Sequence, residues 1–207
     1  MATTKCLLYC TKAIKHYSVG HLIFNLDDLT LNPDTNKYVF GDSCYLMASE
    51  NSYGKDNFLN GKIVAECEVE TEEIKIFDKV NWKNEWENKL EESCLTINQL
   101  ENYLYSNNYK GYALHIKNLK IFDRLKELKD YCVDNSKYYK EYGWCLTCEE
   151  KYTPIQKAPQ NMMWCFDRRG NRYALISIRP EWLCKILNGE KTIEIRKKVL
   201  KGMCDDE

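Results

Sequence analysis

The chain has 207 residues, of which 44% are apolar and 29% charged, and its formal charge is −1. Such a balance describes one folded domain with a sizeable core, and excludes both a disordered chain and a protein that coats long-duplex DNA by net charge. No apolar run approaches the ~20 residues of a membrane span and no signal-peptide core is visible, so a cytoplasmic protein without a membrane partner is expected.

In chain order, Lys5 to Cys10 reads as a short strand, and Asn32-Pro33-Asp34 as a turn. Tyr45 to Ala48 is a further strand candidate, while His16 and His21 fall in a loop. Asn60-Gly61 is a turn signal, and the strand Lys62 to Glu70 follows it. There Ile63, Ala65, Cys67 and Val69 alternate with Val64, Glu66, Glu68 and Glu70, the pattern of a half-buried strand.

Thr96-Ile-Asn-Gln99 is a capping-box pattern, followed by Ile97, Leu100 and Leu104 at helical spacing. Ala113 to Phe122 reads as a strand and Arg124 to Tyr131 as a helical segment. Residues 132–159 are rich in Tyr and Cys, lack periodicity, and read as an irregular insertion. Met162 to Asp167 and Tyr173 to Ile178 are strands joined by Arg168-Arg169-Gly170-Asn171-Arg172, which predicts a β-hairpin. Many short strands with few helices indicate an α+β domain or a barrel.

The most informative segment is ALISIRPEWLCKILNGEKTIEIRKK, Ala174 to Lys198. Pro180 suits the first turn of a helix, and Trp182, Leu183, Ile186 and Leu187 give that helix an apolar face. Gly189 stops it. Lys191 then opens a strand with Ile193 and Ile195 inward and Thr192, Glu194 and Arg196 on the opposite face. Residues two apart on a strand lie roughly 6–7 Å apart on one face. Arg offers a planar fork for phosphate or a base edge, and Lys a mobile point charge. Between Arg179 and Lys201 seven Lys and Arg face three Glu, a local anion-attracting patch in a neutral chain. A solvated strand face after a helix-stopping glycine accounts for the same charges.

The spacing Gly189-Glu-Lys191-Thr-Ile-Glu194-Ile-Arg196, after a strand, Arg-Pro-Glu-Trp and a short helix, resembles the signature of the ASCH family. Asn60-Gly-Lys-Ile-Val-Ala-Glu66, Gly111 to Asp123, and Ala158-Pro159-Gln160 through Phe166 are similar to other strands of longer bacterial and phage members. The resemblance implies a PUA-like mixed β-barrel with short flanking helices, whose motif lines a cleft for RNA, a nucleotide or a nucleoside. Arg179, Lys191, Thr192, Glu194 and Arg196 would then bind the ligand, with Tyr112, His115 and Trp182 beside it. A second implied activity is hydrolysis of a modified nucleoside or of RNA, with Lys191 and Glu66 as the catalytic pair. The nucleophilic threonine of the amidohydrolase relatives is replaced here by Glu194. A third reading is a viral or host-defence protein that sequesters a nucleotide signal.

The segment order departs from the family. The motif comes last here, with eleven residues after Arg196, too few to complete a barrel. Circular permutation is the simplest account: the hairpin at Arg168–Arg172 joins the old ends, and new ones open between Lys198 and Lys5.

The eleven cysteines are odd in number. Cys6, Cys10, Cys67, Cys165 and Cys184 read as small buried hydrophobes rather than disulfide partners. No cofactor is called for by the motif. A structural zinc held by Cys132, Cys145 and Cys148, with Cys165 or Cys94 as the fourth ligand, is the alternative to free thiols in the Cys-rich region, although one C-x-x-C is a weak signal.

Overall fold

A computed structural model describes residues 3–12, 16–19, 22–46, 59–75, 82–133 and 153–204. Its elements in chain order are β1 (Thr3–Cys10), β2 (His16–Val19), β3 (Leu22–Asn32), β4 (Lys37–Leu46), β5 (Ile63–Lys75), α1 (Trp82–Ser93), α2 (Ile97–Tyr105), β6 (Lys110–Lys126), β7 (Cys132–Val133), β8 (Met162–Phe166), β9 (Arg172–Ile178), α3 (Pro180–Leu187) and β10 (Ile193–Arg196). The fold is α+β. Seven strands form one sheet in the order β10-β6-β5-β1-β9-β8-β7, and β2, β3 and β4 form a second. All neighbours in the large sheet are antiparallel except β1 and β9.

Each face of the large sheet is covered where its strands are apolar. On one face Cys6, Leu8, Val69, Leu114 and Ile176 pack against Leu183, Ile186 and Leu187 of α3. Burying each such Leu or Ile contributes about 1.5–3 kcal/mol. The other face carries two smaller clusters. At one end Leu100 and Leu104 of α2 and Trp86 of α1 meet Ile74, Ala113, Ile193 and Ile195. At the other, Tyr131 and Ile155 meet Leu7, Ile63 and Leu175. Gly111 lets α2 approach β6, since a Cβ there would lie 2.7 Å from Leu104.

Local chemistry explains the ends of these elements. Thr96 and Gln99 complete the expected capping box: the Gln99 amide donates to Thr96 Oγ1 at 3.3 Å, and Gln99 Oε1 accepts from the Thr96 amide at 2.9 Å. The β3–β4 turn is held by Asn32 Oδ1, which accepts from the amides of Asp34 and Thr35. Asp167 does the same for the hairpin, accepting from the amides of Arg169 and Asn171 while Gly170 takes φ 82°. The expected pairing of β8 with β9 is present, from Met162 opposite Ile176 to Phe166 opposite Arg172.

Several expectations are corrected. Arg124 to Tyr131 is not a helix: β6 runs on to Lys126, opposite Ile63, and a single 3-10 turn follows at Leu128–Asp130. Two leucines three residues apart could not outweigh strand pairing with β5, which resumes at Lys126 after a register shift. The alternation in β5 breaks at a register shift between Ile63 and Ala65, which sends Ile63 to the Leu7 side and leaves Val64 buried with Ala65. His16 lies in β2 rather than a loop, and His21 and Ala48 fall outside the described residues. The insertion is stitched at both ends, with the Val133 amide donating to Thr153 and the Ile155 amide to Tyr131.

Where a closed barrel was expected, the large sheet ends at β10 and β7 with no ladder between them among the described residues. Side chains bridge part of this gap. Asn161 Nδ2 donates to the Lys198 carbonyl at 3.2 Å, and Trp164 Nε1 to that of Lys201 at 3.2 Å. The chain ends, whose proximity permutation requires, lie outside the described residues. Among those described, no helix is long and apolar enough to cross a membrane.

Candidate functional site

The motif runs from the turn that ends α3 into the edge strand β10, which pairs with β6. Schellman-type bonds end α3, the Glu190 amide donating to the Lys185 carbonyl at 2.9 Å while Gly189 takes φ 76°. Asn188 does more than stop the helix. Its side-chain amide accepts from the Tyr38 amide and donates to the Tyr38 carbonyl, docking β4 onto α3.

Beyond the turn, Lys191 is 2% exposed, and Glu194 and Arg196 are each 9% exposed. Glu194 sits between them, with Oε2 3.3 Å from Lys191 Nζ and Oε1 3.0 Å from Arg196 Nη2. Lys191 also donates to the Ser93 carbonyl at 2.6 Å, in the last turn of α1, where the helix dipole favours a cation. Its ammonium lies 5.3 Å from the Trp182 ring centroid. Burial lowers the Lys191 pKa from its ordinary value, against the pull of Glu194. Arg196 reaches across the sheet gap, Nη2 donating to the Ser177 carbonyl at 2.7 Å and Nη1 to Asn161 Oδ1 at 2.9 Å. Its Nε is buried without a hydrogen-bond partner among the described residues, a desolvation cost the fold tolerates here.

This triad lines a cleft of about 630 Å³ that opens between α2 and α3, with Ser177 of β9 in its wall. Arg179 and Trp182 from α3 and its start, Tyr103 and Gln99 from α2, and Lys12 after β1 complete its walls. Arg179, 3.8 Å from Glu181, and Lys12 are exposed cations of the rim. The cleft therefore joins a buried charge relay to an open rim carrying aromatic rings and exposed cations. Such a surface suits a planar, anionic ligand.

Of the expected site residues, Arg179, Trp182, Lys191, Glu194 and Arg196 come together here. Four others do not. Thr192 is exposed, and its amide donates to the Glu92 carbonyl. His115 stands opposite Ile193 on the α1 and α2 side of the sheet, 2.9 Å from Glu72. Tyr112 lines a separate hollow beyond Arg196. Glu66 lines a third cavity with Tyr173 and Arg169 and pairs with Lys120 at 3.3 Å. The implied pair of Lys191 and Glu66 is thus divided between two cavities.

Lys12, Gln99, Tyr103, Asn161 and Ser177 were not anticipated. They come from four separate segments, and only the capping box at Thr96–Gln99 gave any hint of where one would lie. The cysteines expected to be buried, Cys6, Cys10, Cys67, Cys165 and Cys184, are buried. Cys132 and Cys165 do not converge: Cys132 faces Phe166 and Cys165 faces Val133, on opposite faces of the β7–β8 pair. Cys145 and Cys148 lie outside the described residues, among which no group of three His, Cys, Asp or Glu could hold a metal. No family model, no curated protein and no solved structure matches the chain.

Proposed function

We propose that the chain is an ASCH-like binding module of the PUA-like type, circularly permuted, whose cleft receives a nucleotide or RNA. The observation that carries this reading is the Lys191–Glu194–Arg196 relay, buried yet lining a 630 Å³ cleft. Breaking even on three desolvated charges is difficult for a fold, so their retention at a cleft wall favours a recognition role over a structural one. In the bound state Arg179 and Lys12 meet phosphate, Trp182 and Tyr103 offer stacking faces, and the relay keeps β10 and α3 in register around them. The bonds from Arg196, Asn161 and Trp164 across the sheet gap support counting the sheet as a barrel closed by side chains.

Binding takes precedence over hydrolysis. Glu194 occupies the nucleophile position of the amidohydrolase relatives, and both its oxygens are engaged by cations. Glu66 sits in another cavity. Titration with mononucleotides and short RNA tests the proposal. Arg179→Ala with Lys12→Ala is expected to weaken binding by about tenfold, two exposed phosphate contacts being lost, without lowering the melting temperature. Unchanged affinity in that variant rejects the cleft as the binding site.

A further inference from the structure

Past Arg196 the chain leaves β10 while the basic surface continues. A second hollow of about 320 Å³ opens beside the cleft, lined by Lys110, Tyr112, Lys197 and Lys198. Glu73 is the acidic residue in its wall, and it is drawn off by Lys75 at 3.0 Å. The two spaces are joined by consecutive residues, since Arg196 lines the cleft and Lys197 lines the hollow. They are also joined by a ring: Tyr103 lines the cleft, and Lys197 Nζ stands 4.7 Å from its centroid. Lys197 is held in place, its Nζ donating to Ser106 Oγ at 2.8 Å and its carbonyl accepting from Asn107 Nδ2 at 3.1 Å. Lys110 and Lys198 are exposed and line the same hollow.

A site for one nucleotide has no use for a lysine-lined continuation on the far side of an aromatic ring. A strand has: its backbone needs successive cations, and its unpaired bases need rings between them. We infer that the ligand is a single-stranded nucleic acid several nucleotides long. Its backbone leaves the cleft past Arg196 and crosses Lys197, Lys198 and Lys110, with Tyr103 as the stacking surface between the two subsites. The chain's near-zero net charge agrees with a short contact that neutralises few phosphates. This inference rests on the reading of the cleft as a nucleotide site.

The test compares adenosine and uridine 5′-monophosphates with labelled RNA and DNA strands of about ten nucleotides, a length that spans both subsites. At about 0.1 M salt the strands are expected to bind at least tenfold tighter than the monophosphates. In the Lys110→Ala, Lys198→Ala double variant, strand affinity falls roughly tenfold and its log–log salt slope loses about 1.4, while monophosphate binding stays at the wild-type value. The RNA and DNA arms identify which sugar the path prefers. Strands bound no tighter than monophosphates, or bound by the double variant as by wild type, overturn the inference and leave the cleft reading standing. No binding of any probe overturns both.

Discussion

Lys191, Glu194 and Arg196 alternate in sign within a wall that is nine-tenths buried, whereas Glu66, Glu68, Glu70 and Glu72 put a single sign along a half-buried face of β5. Both rows pair Glu with Lys. On β5 each acid meets one partner from β6, Lys120, Asn118, Lys117 and His115 in turn, and Lys89 of α1 also bonds Glu72. Those side chains keep much of their hydration and gain little from pairing. In the β10 relay each ion has lost its water, and Glu194 compensates two cations at once. A row of charges in a sequence thus says nothing of its weight until burial is known.

The largest effect should come from the relay. Glu194→Gln leaves two buried cations without a counter-charge and is expected to cost about 3–5 kcal/mol in urea unfolding. A loss below 1 kcal/mol would show that the relay is wetter than its burial implies. The ladder should respond far less. Glu66→Gln is expected to cost under about 1 kcal/mol and to leave nucleotide affinity at the wild-type value. Reduced binding or lost turnover in that variant would restore the hydrolytic reading and join the two cavities functionally.

The smallest effect is a pH dependence. Burial would raise the Glu72 pKa, but the hydrogen bonds from Lys89 and His115 outweigh it and hold the carboxyl below its ordinary 4.5. The unfolded chain therefore takes up this proton first as pH falls. The stability Glu72 contributes is complete above pH 4.5 and is lost as pH drops through the lower folded value. Melting temperatures taken between neutral pH and acid should show a shallower fall in Glu72→Gln than in wild type.

What could be read ahead of the fold was local. Pro180, the apolar helix stripe and Gly189 fixed α3 and its end, and alternation after Lys191 placed Glu194 and Arg196 on one face, because these signals depend on neighbours within a few residues. The β2–β3–β4 sheet was largely missed, and α1 altogether. Two thirds of α1 is charged or amide-bearing, and its place is set by Trp86 packing under β10, a contact distant in sequence. The site divided in the same way. Side chains on the motif were visible, but the Ser93 carbonyl that receives Lys191 and the Asn161 that receives Arg196 are tertiary partners with no motif of their own. His115 and Glu66 were assigned to the cleft through strand resemblance, and side-chain alternation put them elsewhere.

The parallel pairing of β1 with β9, Cys6 beside Ala174, has a kinetic consequence. β1 lies mid-sheet, yet one of its two partners is separated from it by most of the chain. During synthesis β1 can zip onto β5 early, but its other edge stays unpaired until β9 emerges from the ribosome. Closing so long a loop is entropically slow and leaves Leu7 and Leu8 temporarily uncovered. Refolding should accordingly be rate-limited by this one long-range pairing, and strand β9 is the segment whose weakening would most prolong the aggregation-prone interval.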